Sequence, residues 1–132
     1  MDTPLTHADL RQFTGDLERF RHPLARGVIY TPGVRYLASR GGAYWLIDEI
    51  ALAIAGGVVA KAGGSDERVL SLHFWRLEVR DDRSATLTAR ADDGVPPFVT
   101  RHIPWTDFPL DHVDVWAGYD GRYWTLYLPS EH

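Results

Sequence analysis

The sequence predicts an α+β fold of two layers, in which N-terminal helices pack on one face of an antiparallel meander of about five strands. Three observations carry this. Helix-compatible apolar spacing fills the first half of the chain, most densely from Tyr30 to Gly57. After Val69 the apolar period changes from 3.6 to 2. Turn signals such as Asp93-Gly94 and Asp120-Gly121 then separate the alternating runs. Helices segregated to one side of an antiparallel sheet make two layers around one core.

The elements follow in order. Thr6 is a good N-cap, and Asp9 three residues on completes a capping-box pattern. Leu10, Phe13, Leu17 and Phe20 have helical spacing, but Gly15 interrupts them. A helix ending near Phe13 and a Thr14-Gly15 turn are expected. Arg21-His22-Pro23 ends any helix, because the residue before proline is pushed out of the α region. Gly27 to Tyr30 reads as a short strand. Thr31-Pro32 is a hydroxyl cap followed by proline at the first helical position. Val34, Leu37 and Ala38 face inward, and Gly41-Gly42 breaks the helix. Ala43, Ile47, Ile50 and Ile54 then form a new stripe, with Asp48 at its border. Gly56-Gly57 ends this helix. Val58 to Arg68, with Gly63-Gly64-Ser65-Asp66, reads as a mobile connection.

In the second half, Leu70 to Phe74 and Trp75 to Val79 alternate in opposite phases. That switch predicts either a β-bulge or a strand covered on both faces. Ala85, Leu87 and Ala89 form the next inward row. Val99, Arg101, Ile103 and Trp105 share one phase, Thr106 to Pro109 is a turn, and Val113 and Val115 alternate with acids. Trp124, Leu126 and Leu128 are the last inward row.

Composition sets the class. The chain has 132 residues, which fits a single domain over 1–132. A chain this long buries roughly two-thirds of its unfolded surface and needs no staple. It has no cysteine, which removes disulfides, thiolate zinc sites and cysteine nucleophiles, and fits a reducing compartment. The first twenty residues lack an apolar segment, so no signal peptide is expected. The longest uncharged run, Ile50 to Ala60, is far short of the ~20 residues of a membrane span. A cytoplasmic protein without membrane contact is expected. The net charge is −4 with both signs interleaved, and no basic block exists to neutralise phosphates, so nucleic acid is an unsuitable partner.

RHPL (21–24), YTPGVRYLA (30–38), GAYWLIDEI (42–50), FWRLEV (74–79), SATLT (84–88), TDFPL (106–110) and LPSEH (128–132) resemble the pattern of a family of small bacterial proteins classed as a domain of unknown function. Its members are often met on plasmids or in other mobile regions. The match runs in order from about Gln12 to the end. The resemblance implies a single domain in a bacterial cytoplasm. It brings no activity, cofactor or site residue with it.

The residues themselves offer three candidate chemistries. His22, Asp48 and Asp107, with Glu131 as an outer member, could form an acid/base site if packing buries Asp48 and shifts its protonation. The favoured alternative is that Asp48 pairs with Arg101 or Arg76 or faces water. The six histidines form no HxH, HxxxH or HExxH spacing, so no metal or cofactor is expected. His73 and His102 are the pair that neighbouring strands could join. Five tryptophans are many for this length. Trp45, Trp75 and Trp105 are assigned to the core. Trp116, out of phase with Val113 and Val115, is assigned to an exposed binding patch with Tyr119 and Tyr123. The acids beside that patch suit a protein, or a cationic or aromatic ligand, better than nucleic acid. Neither GxSxG, Walker A nor GxGxxG is present, and Ser130-Glu131-His132 is too local to be a triad.

The function expected is a non-enzymatic protein-interaction or regulatory module, binding a partner protein or a second copy of itself, as in a homodimer, through a sheet edge and the Trp116–Tyr123 hairpin. The setting implied by the resemblance adds mobile-element or anti-defence regulation. The alternative is a small enzyme built on His22, Asp48 and Asp107.

Overall fold

A computed structural model describes residues 4–14, 18–63 and 66–132. The longer strands follow the helices as expected, but two short strands stand between the first helix and the second. The helices are α1 (His7–Arg11), α2 (Pro32–Gly41), α3 (Tyr44–Ala55) and α4 (Val58–Gly63). The strands are β1 (Phe20–Arg21), β2 (Val28–Tyr30), β3 (Leu72–Val79), β4 (Ala85–Arg90), β5 (Val99–Ile103), β6 (His112–Tyr119) and β7 (Trp124–Tyr127).

Local chemistry sets the helix ends. Thr6 and Asp9 form the expected reciprocal capping box at α1. The Thr31 hydroxyl accepts from the Val34 N–H at the start of α2, behind Pro32. Gly42 ends α2 in the left-handed region at φ 61, which glycine adopts without a Cβ penalty. α3 then buries Leu46, Ile47, Ile50 and Ala51; Ile47 and Ile50 belong to the stripe seen in the sequence, and Ile54 at its end is only partly buried. Gly15 of the expected Thr14-Gly15 turn, and Leu17, lie outside the described residues.

The sheet departs from the expected meander. Among the described residues, seven strands run in the order β1-β2-β7-β6-β3-β4-β5. Strands β3 to β7 are the five expected, and each pairs antiparallel with its neighbours among them. However, β6 docks on β3 and not on β5. The 104–111 connection therefore runs back past the β3–β4 turn. It is anchored there by Thr106 N–H to Arg83 O at 2.8 Å, by Val79 N–H to Asp111 O at 2.8 Å, and by the buried ring of Phe108. The N-terminal hairpin β1–β2 adds two more strands, with β2 parallel to β7. The sheet is thus mixed. Strands of two and three residues are too short to show a period.

Two further expectations change. Val58 to Arg68 is not simply a connection: α4 occupies its first half, and a 3-10 turn spans Glu67–Leu70. Val59 and Val69 are buried and hold these turns to the core. Gly64 and Ser65 are outside the described residues. In β3 the pairing register runs unbroken from Leu72 to Glu78, so there is no bulge. His73, Trp75 and Leu77 point inward, and Phe74 points outward against Trp116. The strand is therefore apolar at Phe74 on its outer side as well, but it is fully covered only on its inner face.

One hydrophobic core joins the inner sheet rows to the helices. α2 packs on β7, α3 on β2 and α4 on β5. Trp75 is fully buried and Trp45 partly so, but Trp105 is 65% exposed and is not a core residue. It follows Pro104, beyond the end of β5, where the alternation that assigned it no longer holds. On the outer face of the sheet, Phe74, Arg76, Asp114 and Trp116 are half-buried.

Candidate functional site

His22 and Asp48 do meet. The His22 Nε2 lies 2.7 Å from Asp48 Oδ1. The Nδ1 accepts from the backbone N–H groups of Ala25, at 2.9 Å, and Leu24, at 3.2 Å. Two donors on Nδ1 place the ring proton on Nε2, which donates to the carboxylate. The His22 side chain is buried while Asp48 is half exposed. Both ring nitrogens are thus committed: the ring ties the loop after β1 to α3 and leaves no lone pair for a substrate. Asp48 does not pair with Arg101 or Arg76. Arg101 pairs with Glu49 at 2.7 Å, and Arg76 with Glu78 and Asp114.

Asp107 is not brought to this pair. It is exposed on the connection between β5 and β6, whose neighbouring carbonyls, at Thr106 and Phe108, accept from the Arg83 guanidinium. Glu131 is elsewhere again. Its carboxylate accepts from the Thr31 hydroxyl at 2.6 Å, the Leu128 N–H at 2.9 Å and the Gly33 N–H at 3.3 Å. It sits on the N-terminus of α2, where freed N–H groups and the helix dipole favour an anion. Near Asp48, burial and then the neighbouring Tyr44 push the Tyr30 hydroxyl above its ordinary value, so it remains a neutral phenol.

The three aromatic residues of the expected patch divide. Trp116 is half-buried on the outer face, edge-on to Phe74 at 5.0 Å and to Tyr127 at 6.1 Å. His132 adjoins it at 5.2 Å. Tyr119, three residues on, points to the other face and stacks on Trp124 at 5.1 Å. Tyr123 lies at the hairpin tip under the Arg122 guanidinium.

Trp116 instead belongs to a groove of about 910 Å³ on the outer sheet face. Phe74 and Trp116 form its aromatic part, the 92–96 turn one wall, and Pro129 part of the other boundary. Four acids line it, Glu78, Asp92, Asp93 and Asp114, against two arginines, Arg76 and Arg90. Both arginines are engaged. Arg76 pairs with Glu78 and Asp114, and Arg90 donates to Val95 O and Thr88 Oγ1. The sequence pointed to Trp116, but its companions Phe74 and Tyr127 come from strand pairing: Phe74 and Tyr127 both stand opposite Trp116. A smaller cleft of about 440 Å³ lies between α3 and β4–β5, with Asp48 and Glu49 at its rim.

His73 and His102 do not meet. His102 stands level with Glu78 across β4, five residues along β3 from His73. His73 is fully buried: its Nδ1 accepts from Trp75 Nε1–H at 2.8 Å, and its Nε2 has no partner. Burial lowers its pKa from 6.5 to about 4. A different trio converges at the start of β6. His7 Nε2 and His112 Nδ1 approach the same Asp111 oxygen, at 3.1 and 3.0 Å. These contacts, His7's first, hold the Asp111 carboxyl below its ordinary value. Residues 7 and 111 are far apart in sequence, so no local spacing signals this trio.

The fold defines the class first: an α+β protein with four helices and a seven-stranded mixed sheet among the described residues. It is similar to a protein of unknown function from Enterococcus faecalis, known from a crystal structure, with a TM-score of 0.51 and 21% identity over 89% of this chain and 98% of that one. At that identity the likeness speaks to the fold alone. The chain belongs to the family of unknown function DUF6876, whose sequence profile spans residues 4–132. Comparison with functionally curated proteins returns no match. Among the described residues no helix is long and apolar enough to cross a membrane.

Proposed function

We propose that this protein is a non-enzymatic interaction module that seats a basic, extended segment of a partner protein in the groove of its outer sheet face. The observation that carries this is the groove's chemistry: Trp116 and Phe74 line it with four acids and two arginines, a net negative lining in which Glu78 and Asp114 hold Arg76, Asp92 lies 3.7 Å from Arg68, and Asp93 stands on the wall beside them. An aromatic surface with surplus carboxylates favours Lys or Arg, through cation–π and ionic contact, and disfavours phosphate. Trp and Tyr are the residues on which binding energy concentrates. The partner takes the face and not the sheet edge. One edge strand, β1, has two residues, and the other, β5, carries Arg101 and His102 on exposed positions. Short and charged edges disfavour strand addition, so this reading sets a heterologous partner above a homodimer.

The enzyme alternative is less favoured, because His22 offers no free nitrogen and Asp107 stands apart. We place the protein in a bacterial cytoplasm on its lack of cysteine and on the family resemblance, in a regulatory or anti-defence role on a mobile element.

The test is fluorescence anisotropy with labelled Arg/Lys-rich and Asp/Glu-rich decapeptides at low salt. Basic peptides bind, and Trp116→Ala and an Asp93→Asn/Asp114→Asn double variant each weaken them about tenfold, a loss of ~1.4 kcal/mol. Circular dichroism checks that the variants remain folded. Equal binding of acidic peptides, or undiminished binding by folded Trp116→Ala, overturns the reading.

A further inference from the structure

We infer that His7, Asp111 and His112 form a divalent transition-metal site, with zinc as the metal its donors suit best, that fastens α1 to the start of β6. Their ligand atoms all lie within 4.8 Å of one another, one from each residue. The two imidazole nitrogens already face a single carboxylate oxygen, at 3.1 and 3.0 Å, and the rings lie 4.6 Å apart. In a tetrahedral site with bonds of ~2.0–2.2 Å, ligand atoms stand roughly 3.4 Å apart. Rotation of partly exposed side chains closes the difference, since Asp111 is 77% exposed and the histidines 39% and 37%.

The donor set selects the metal. Two imidazoles with one carboxylate are unsuited to Mg²⁺ or Ca²⁺, which take oxygen ligands, and suited to zinc and its neighbours. Three protein ligands leave a fourth position for water. The proton balance is simple. A carboxylate only accepts, so in the metal-free protein the nitrogens facing Asp111 carry their protons. Metal binding needs those lone pairs, so each neutral ring moves its proton to its other nitrogen, and a charged ring releases one to solvent.

The site also has something to hold. α1 is five residues long, too short to be stable alone. Leu10 is its buried residue, and Ser130 Oγ donates to the Leu10 carbonyl at 3.2 Å. A metal bridging His7 to residues 111 and 112 joins this helix to the central sheet. Arg11 and Asp114 line the depression beside the trio with opposite charges.

Untagged protein, stripped with a chelator, is titrated with Zn²⁺ by calorimetry and followed by thermal melting. One zinc binds per chain. At a free concentration a hundredfold above the dissociation constant, the melting temperature rises by about 10 °C. His7→Gln and His112→Gln each abolish the rise, and Asp111→Asn weakens binding at least tenfold. His102→Gln, which removes an exposed histidine from β5, behaves as the unaltered protein, and Mg²⁺ has no effect. Cobalt in place of zinc gives the intense visible bands of a tetrahedral site, lost in His112→Gln. Metal-free melting of each variant, matched to that of the stripped parent, separates lost ligands from lost folding. A zinc shift that survives in both histidine variants, or none at all, overturns the site.

Discussion

His73 shows at the scale of one residue how burial sets protonation. Its ring lies among Trp75, Trp124 and Phe98, and burial lowers its pKa to about 4. In the unfolded chain the same ring titrates near 6.5. Between these values the unfolded state binds the extra proton, so stability rises with pH. It is complete above about 6.5 and is lost as pH falls toward 4. The gap between 6.5 and about 4 corresponds to about 3 kcal/mol. Urea unfolding from pH 7 to 4 reports this loss. His73→Gln, which keeps an acceptor for Trp75 Nε1–H, flattens the slope over that window. An unchanged slope in that variant assigns the acid sensitivity to other groups.

At the scale of an element, α2 depends on a residue from the far end of the chain. Thr31 caps its start, and the Glu131 carboxylate receives both the Thr31 hydroxyl and the Gly33 N–H. Space at that contact is short. A Cβ on Gly33 would lie 2.6 Å from Glu131 Oε1 and 2.9 Å from Leu128 Cδ1. Gly33→Ala therefore destabilises the protein by about 1–3 kcal/mol in denaturant titration. In a Glu131→Ala background the same substitution costs less, and the double-mutant cycle gives a coupling above about 0.5 kcal/mol. Additive effects would mean that glycine serves this position for another reason. The cap at Thr31-Pro32 was legible from two residues. The partner from the far end of the sequence was not, because nothing local marks a glutamate as a helix cap for another segment.

At the scale of the molecule, the sheet is most strongly supported at its centre and least at its edges. β3 is paired on both sides by long strands, whereas β1 has two residues and one neighbour. Between them His22 ties the loop after β1 to Asp48 of α3. Native-state hydrogen exchange is accordingly slowest in β3 and β6 and faster in the β1–β2 hairpin. His22→Ala leaves the N–H groups of Leu24 and Ala25 without their acceptor. It speeds exchange of the hairpin about 10- to 100-fold, the equivalent of 1.4 to 2.8 kcal/mol, with β3 little changed. Uniform acceleration across the sheet would show that the hairpin opens with the whole domain.

What the sequence determined by itself was whatever depends on neighbours along the chain: the caps at Thr6 and Thr31, the break at Gly42, the Ile47 and Ile50 positions of α3 and the inward rows of β4, β6 and β7. Period and capping are local, and local chemistry is written in local residues. Tertiary structure alone decided the docking of β6 on β3, the parallel pairing of β2 with β7, the stacking of Tyr119 on Trp124, and the meeting of His7 with Asp111 and His112. Each depends on register or on contacts between distant residues, which a single period does not encode. The grooved outer face follows from both. Alternation put Trp116 outward, and the strand order set Phe74 and Tyr127 beside it.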